Sequence, residues 1–242
     1  MKRSSTIALF YTGVAVISAA ILGIAFYLRS QLPKPDLSVI VNAGKETPAR
    51  WFEIKNDIEG INQDGRTVRL SDLRGKIVLV AEFFAVCPHC AVRNGEELRK
   101  IYDQFKDNPD FHIVCISVDP ENDDKQKLAD YAEALGADVK NWWFVNAGDA
   151  KATHRYLENE LRFMGIRERK DPADIEANGR YAHDMSFLLV DRNAWVIGKW
   201  PLADARSAEA LKREPERYAQ LSKELFDRIR TELNTPATPA NR

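Results

Sequence analysis

The chain has 242 residues with nearly balanced charge, 35 Lys and Arg against 36 Asp and Glu, and only three cysteines. A net charge of −1 without a basic stripe argues against a nucleic-acid partner, and three cysteines are too few for a disulfide-stapled scaffold. The length is sufficient for one well-buried domain with extensions.

The first segment, Ile7–Leu28, is an apolar run without a charged residue, and Lys2 and Arg3 precede it. At ~1.5 Å per helical residue it is long enough to cross a hydrocarbon core of ~30 Å. We therefore predict one transmembrane anchor within residues 1–29, with the rest of the chain exported, in a bacterium to the periplasmic side of the membrane. A signal peptide cleaved near Ser18-Ala19-Ala20 is the alternative, although the apolar run continues well past that point.

Residues 30–50 contain several Pro, Lys and polar side chains and are predicted to form a linker. One domain is predicted over residues 51–233, followed by a disordered tail over residues 234–242. The predicted elements of the domain are, in chain order, a hairpin Trp51–Leu70 that turns at Asp64-Gly65, a helical turn Ser71–Lys76, a strand Ile77–Phe84, a helix Ala91–Lys106, a strand Phe111–Val118, a helix Lys125–Leu135, a strand Trp142–Val145, a helix Ala150–Leu161, an exposed irregular loop Gly165–Arg180, strands Ser186–Val190 and Trp195–Trp200, and a long helix Ser207–Leu233 interrupted near Pro215.

Two of these strands, 77–84 and 111–118, are almost unbroken apolar runs, which is typical of strands buried on both faces of a sheet. Strands that alternate with helices and end in a hairpin predict an α/β sandwich around a mixed sheet. The predicted fold is therefore thioredoxin-like, with an N-terminal hairpin extension and a preceding transmembrane helix.

The tetrad Cys87-Pro88-His89-Cys90 follows the first buried strand and precedes a predicted helix. Two cysteines three positions apart at a helix start share one face, so their sulfurs can form a disulfide or bind one metal ion. The unpaired N–H groups and positive dipole end of the helix favour the thiolate of Cys87. The spacing thus predicts either a redox-active pair or a metal site.

His89 stands between the two cysteines at the helix start, where it can stabilise the Cys87 thiolate and tune the redox pair. The third cysteine, Cys115, lies in the apolar run FHIVCISV and is predicted to be a buried core residue. His112, at a strand start, and His154, on an exposed helix, are predicted to be ordinary residues.

These residues resemble the Sco/SenC proteins, thioredoxin-like copper chaperones that help to insert copper into cytochrome c oxidase. The likeness extends from about Leu70 to Trp200 and includes the turn LSDLRGK, Cys87-Pro88 at the strand end, the strand end ISVDP and the late histidine in HDMSFLLVD. The family separates its cysteines by three residues, whereas this chain has two, and the tetrad itself is similar to that of DsbA-type disulfide oxidases. Ala182 and Asp184 flank the late histidine in place of the family's usual neighbours.

The resemblance implies that Cys87, Cys90 and His183 bind copper together. Two thiolates and an imidazole suit Cu(I), while Cu(II) with an added donor and zinc can use the same ligands. Met185 is predicted to pack in the core, with an auxiliary Cu(I) ligand as the alternative. The implied partner is the copper-site subunit of cytochrome c oxidase or another copper protein.

Two functions are compatible with these residues. The first is a membrane-anchored Sco/SenC-like protein that delivers copper, or reducing equivalents, during cytochrome c oxidase assembly. The second is an extracytoplasmic thiol–disulfide oxidoreductase, in which Cys87 attacks, Cys90 resolves and His89 tunes. Disulfide-exchange enzymes of this fold carry a cis-proline opposite the cysteines, here expected near Met185, and no proline occurs in 178–200. The absence of this proline favours the first function. A third hypothesis is a thioredoxin-like adaptor protein in which the two cysteines form a structural disulfide.

Overall fold

The structure is a computed structural model that describes residues 49–85 and 94–236, together with the isolated positions Ser18 and Gly23. The predicted anchor Ile7–Leu28 and most of the predicted linker lie outside these residues, so both stay predictions. Within the described part of the chain, no helix combines the length and apolar character that a membrane span requires.

The described residues form strands, helices and one 3-10 turn. In chain order they are β1 (Phe52–Glu53), β2 (Glu59–Asn62), β3 (Thr67–Arg69), the 3-10 turn (Leu70–Leu73), β4 (Ile77–Phe83), α1 (Glu96–Phe105), β5 (Phe111–Ser117), α2 (Lys125–Leu135), β6 (Trp142–Asn146), α3 (Ala150–Asn159), β7 (Arg167–Glu168), α4 (Pro172–Asn178), β8 (Tyr181–Ala182), β9 (Phe187–Val190), β10 (Trp195–Trp200), α5 (Leu202–Ala205), α6 (Ala208–Arg213) and α7 (Arg217–Asn234).

The main sheet of the described residues has eight strands in the order β1-β10-β9-β4-β5-β6-β2-β3. The central pair β4–β5 is parallel, as is β5–β6, whereas β9 joins the other side of β4 antiparallel. All residues of β4 and β5 are buried because both faces of the sheet are covered. The sequence prediction of a mixed α/β sheet with two fully buried central strands is confirmed.

The two faces of β4 contribute to different cores because successive side chains of a strand point to opposite sides. Leu79 and Phe83 pack in the core that contains Ile101, Leu128 and Leu225 of helices α1, α2 and α7. The alternate residues pack in a second core, which is closed by α3 and β8; its members include Val78, Val80, Phe84, Leu157 and Tyr181. The side chain of Glu82, at an even-numbered position like Val78 and Val80, therefore points to the side of the second core.

One predicted turn and one predicted helix match the structure because their local signals are strong. The β2–β3 hairpin turns through Gly65, whose φ of +80° is a left-handed conformation that glycine adopts without strain. Helix α2 has the predicted bounds, since the Asp124 carboxylate caps its N-terminus by accepting from Lys127 N and Gly136 ends it with φ +61°.

The prediction of an irregular loop over Gly165–Arg180 is wrong. Strands β7 and β8 pair as a short ribbon, and α4 lies between them. The helix begins with Asp171 as N-cap and Pro172 in its first turn, and Gly179 ends it. No residue of α4 is buried, so the segment lacks the apolar periodicity that would have indicated a helix.

The structure differs from the sequence prediction in the pairing of β1, in the presence of α5 and in the last residue of the closing helix. Strand β1 pairs with β10 instead of joining the hairpin, and α5 was not predicted. The closing helix is interrupted as expected, with α6 ending at Arg213 and α7 beginning at Arg217. Asn234 still belongs to α7, and the residues after 236 lie outside the described part of the chain.

Candidate functional site

The predicted site residues Cys87, His89 and Cys90 lie in the segment 86–93, which is outside the described residues. The structure describes both flanks of this segment. On one side, the chain leaves β4 and runs through Phe84 to Ala85, and on the other the described residues begin again at Asn94, just before α1. The groups around these two flanks define the surroundings of the predicted site.

A buried carboxylate holds the first flank. Asp123 has no exposed surface, and its two oxygens lie 3.1 and 3.2 Å from the backbone nitrogen of Ala85, which donates to them. The hydroxyl of Ser117, at the end of β5, donates to the same carboxylate at 2.5 Å. Burial raises the pKa of Asp123 to about 6, although the bonds from Ser117 and Ala85 act in the opposite direction.

His183 lies between β8 and β9, and its side chain is 3 % exposed. Its ring packs edge-on against Phe84, with ring centroids 5.6 Å apart. Its Nδ1 atom lies 3.0 Å from the backbone oxygen of Asp184 and 3.5 Å from Oε2 of Glu82. The histidine implied as a copper ligand is therefore in contact with the strand that leads into the cysteine segment.

Asp184 stabilises the turn that follows His183. Its side chain is 1 % exposed and accepts hydrogen bonds from Lys199 Nζ, from the Met164 amide at 2.9 Å and from the Ser186 amide at 2.9 Å. Burial alone would raise the pKa of Asp184, but the bonds from Lys199 and Ser186 outweigh it and the pKa is lowered. The carboxylate is thus ionised and fixes the backbone next to His183.

The second flank of the cysteine segment also contacts this turn. Asn94 is buried, and its Nδ2 donates to the sulfur of Met185 at 3.8 Å. Met185 is partly buried and packs against the second core, as predicted for a core residue. The loop 183–185 consequently contacts the strand end at Phe84 and the helix start at Asn94.

The other predicted residues are arranged as follows. Among the described residues no group of three His, Cys, Asp or Glu side chains has the arrangement of a metal site, and two of the three implied ligands lie in 86–93. His112 is buried near the start of β5, at the opposite end of the strand, and burial lowers its pKa to about 3. Cys115 is buried in the core, as predicted. His154 is partly buried and its Nε2 lies 2.7 Å from the Val118 oxygen, so it is less exposed than expected.

Glu82 and Asp123 lie next to the predicted site but are not among the residues that the sequence predicts for it. Glu82 is the one charged residue of the apolar run IVLVAEFF, five positions before Cys87, and it is 1 % exposed. A charge inside a strand that is otherwise buried on both faces is the signal that could have identified it. Asp123 offered no comparable signal, because its segment ENDDK has the composition of a surface loop.

A cleft of about 510 Å³ opens beside Phe84. Helix α4 and the loop that follows β5 form its walls; the lining side chains include Asp119, Asn122, Lys127, Ile175 and Arg180. Arg180 makes ion pairs with Glu121 at 3.0 Å and Glu168 at 2.8 Å. The segment that was predicted as a loop therefore builds one wall of a cleft next to the site.

The fold is similar to that of solved Sco proteins. BsSco, a member of the Sco family of cytochrome c oxidase assembly proteins with an identified disulfide switch, aligns with a TM-score of 0.57 and 20 % identity over 79 % of this chain and 98 % of that one. Arabidopsis thaliana ScoI with copper bound aligns with a TM-score of 0.53 and 19 % identity over 74 % of this chain and 99 % of that one. The thioredoxin-like fold is therefore confirmed.

Sequence comparison extends this likeness. The SCO1 protein homolog of Bacillus subtilis (strain 168) is 26 % identical over 163 residues, which cover 62 % of this chain and 80 % of the relative. The SCO1/SenC family model matches residues 47–220. The match includes the cysteine segment, His183 and most of the described fold, and it shows that this chain belongs to the SCO1/SenC family.

Proposed function

We propose that this protein binds one copper ion through Cys87, Cys90 and His183 and delivers it to the copper-site subunit of cytochrome c oxidase or to another copper protein. The observation that carries the proposal is the double contact of the loop 183–185. His183 packs against Phe84 before the cysteine segment, and Met185 contacts Asn94 after it.

Chain geometry adds to this support. Because an extended residue spans at most ~3.6 Å, the Cα of Cys87 lies within about 7 Å of the Cα of Ala85. Cys90 is likewise within about 14 Å of Asn94. The loop 183–185 thus contacts the chain three positions before Cys87 and four positions after Cys90, which supports a metal ion shared with His183.

The donor set fits copper as a transferable cargo. Two thiolates and an imidazole are soft or borderline ligands, which suit Cu(I), and a three-coordinate ion leaves a side open to a receiving protein. Copper is bound in the related ScoI, and BsSco belongs to a family of oxidase assembly proteins. We propose that Ile7–Leu28 anchors the domain at the membrane, on the extracytoplasmic side, where such a target subunit would be accessible.

Thiol–disulfide exchange is the second candidate function, and the Cys-Pro-His-Cys tetrad with its two-residue spacing favours it. The Cys87 thiolate would attack a disulfide of the target and release one target thiolate. Cys90 would then attack the mixed disulfide, which releases the second thiolate and leaves a Cys87–Cys90 disulfide. The target is reduced by two electrons and the pair is oxidised by two, so this reaction could also prepare a target's copper site.

An anaerobic Cu(I) competition titration of the reduced full-length chain tests the proposal. We expect one tight site per chain in the wild type and a loss of affinity of at least tenfold in His183→Ala. The matched control is His154→Ala, which removes another partly buried histidine and should leave the affinity unchanged. Weak binding, or tight binding that is indifferent to His183, would contradict the three-ligand site.

The same variant separates the two candidate functions. Disulfide exchange with oxidised glutathione as the probe depends on Cys87 and Cys90 and does not require an imidazole at position 183. We therefore expect His183→Ala to retain exchange while losing copper affinity. A variant that lost both activities in parallel would indicate general damage to the site.

A further inference from the structure

The carboxyl group of Glu82 is buried in the main sheet, where burying a charge is unfavourable. It lies in β4, which is hydrogen-bonded on one side to β5 and on the other to β9, and its side chain has no exposed surface. Burial raises the pKa of the carboxyl, and its Oε1 atom has no hydrogen-bond partner among the described residues. An apolar residue would avoid the cost of burying a carboxylate at this position.

The second carboxylate oxygen contacts the turn at His183. Oε2 accepts the backbone N–H of Asp184 at 2.9 Å and lies 3.5 Å from Nδ1 of His183. The longer distance is that of an electrostatic contact, since an N–H···O hydrogen bond is usually 2.7–3.2 Å. The direct bond of Nδ1 is with the backbone oxygen of Asp184, at 3.0 Å.

These contacts favour a proton on Nδ1 of His183. Nδ1 faces the backbone oxygen of Asp184, which only accepts hydrogen bonds, and Oε2 of Glu82, which already accepts the N–H of Asp184. The neutral ring of His183 is therefore protonated at Nδ1, which leaves the lone pair on Nε2. A metal ion binds an imidazole through the unprotonated nitrogen.

We propose that Glu82 is a positioning residue that holds His183 in the Nδ1–H tautomer and so presents Nε2 to copper. The inference rests on the proposed copper function, to which it adds a specific residue. Carboxylates behind metal-binding histidines fix the ring tautomer and orientation, and their loss lowers metal affinity by roughly 10- to 100-fold. Glu82 would fix the imidazole from inside the sheet, through its contact with Nδ1 of His183 and the hydrogen bond that it accepts from the backbone N–H of Asp184.

The substitution Glu82→Gln tests this role with little change in shape. The amide oxygen of glutamine can still accept the Asp184 N–H, so the backbone contact is retained. The substitution replaces the carboxylate next to Nδ1 with an uncharged amide, which removes the share of the preference for a proton on Nδ1 that Glu82 supplies and leaves the contact with the Asp184 oxygen. The matched control is Glu232→Gln, which alters a glutamate that is also buried but pairs with Arg228 on α7.

The first measurement is ¹⁵N NMR of the histidine rings in the metal-free, reduced full-length chain at pH 8, above the ordinary imidazole pKa. We expect the Nδ1–H tautomer for His183 in the wild type and in Glu232→Gln, and a mixture of tautomers in Glu82→Gln. An Nε2–H tautomer in the wild type, which needs no variant to fold, overturns the proposal. An unchanged tautomer in a folded Glu82→Gln protein overturns it as well.

The second measurement is the Cu(I) competition titration. Glu82→Gln should lower affinity by 10- to 100-fold, and the same substitution should have no further effect in the His183→Ala background. An equal loss in both backgrounds would mean that Glu82 acts without the histidine, against the proposal. Because the tautomer is measured without copper, failure of the copper function and failure of this assignment give different results.

Discussion

The carboxylate of Asp123 accepts the backbone N–H of Ala85, so a side chain from the loop before α2 fixes the chain two residues before Cys87. The same carboxylate accepts the Ser117 hydroxyl at the end of the neighbouring strand. The buried carboxylate of Asp123 thus connects the ends of β4 and β5 at the point where the cysteine segment 86–93 begins.

The first prediction concerns the stability of this junction. Asp123→Ala leaves the Ala85 amide and the Ser117 hydroxyl buried without their acceptor, and we expect a loss of about 2–4 kcal/mol in the free energy of unfolding. Urea denaturation followed by circular dichroism measures it. Ser117→Ala removes one donor to the carboxylate and also the acceptor of the Asp119 N–H, which lies 3.0 Å from the hydroxyl, and should cost about 1–2 kcal/mol. A loss below about 1 kcal/mol for Asp123→Ala would contradict a stabilising role of its carboxylate at this junction.

The second prediction is a pH dependence. The folded pKa of Asp123, about 6, is above the ordinary value of 3.8, so the folded state binds this proton more tightly than the unfolded state. Its contribution to stability is full below pH 4 and is lost as the pH rises to 6. At about 1.4 kcal/mol per pH unit, the free energy of unfolding that is lost over this pH range is about 3 kcal/mol.

Asp123→Asn removes this titration, so the stability difference between the variant and the wild type at each pH reports the contribution of Asp123 alone. We expect the variant to gain stability relative to the wild type as the pH rises from 4 to 7, when both are unfolded in urea at each pH. A stability difference that stayed constant over this range would refute the assignment to Asp123.

The third prediction concerns a buried glutamate at the start of α1. The Glu97 side chain is 1 % exposed and pairs with Arg206 at 2.5 Å, with further contacts from Lys100 and the Tyr218 hydroxyl. Arg206→Ala leaves this charge with fewer partners. Because Arg206 is itself partly exposed and other partners remain, we expect a destabilisation of about 2 kcal/mol, less than for a fully buried pair.

Thermal or urea unfolding compares Arg206→Ala with Lys223→Ala as a control. Lys223 pairs with Asp227 at 2.5 Å on the exposed surface of α7, where water screens the interaction. The control should show no measurable change. A similar response of the two variants would mean that burial of Glu97 does not decide the strength of the pair.

The fourth prediction concerns Cys115. Burial raises the pKa of its thiol to about 12, and Trp142 donates to its sulfur at 3.4 Å. In a variant with Cys87→Ser and Cys90→Ser, the folded protein should therefore resist iodoacetamide at pH 8, whereas the urea-unfolded protein should react fully. Rapid alkylation of the folded variant, detected by mass spectrometry, would contradict this.

Much of the fold could be predicted because its signals are local. Asp124 and Gly136 define the ends of α2, and the apolar runs define β4 and β5. Pairing of β1 with β10 could not be predicted, since a two-residue strand carries no pattern and its partner lies more than 100 residues away. Helix α4 was missed although Asp171 and Gly179 mark its ends, because it buries no side chain.

The residues of the candidate site were likewise only partly predictable from the sequence. Resemblance to a family was enough to select His183, but nothing in the sequence connects Glu82 with a turn about 100 residues later. That contact arises because β4 and β9 are neighbours in the sheet. Residues that hold a ligand in place from an adjacent strand become visible only when the strand order is known.

The attachment of Ala85 to Asp123 and of Asn94 to Met185 has an evolutionary consequence. Each flank is fastened to a different part of the domain, so neither depends on the number of residues between them. An insertion or deletion between the two cysteines changes that interval and leaves the attachments in place. The number of residues between Cys87 and Cys90 is therefore a feature that natural selection can change without rebuilding the domain.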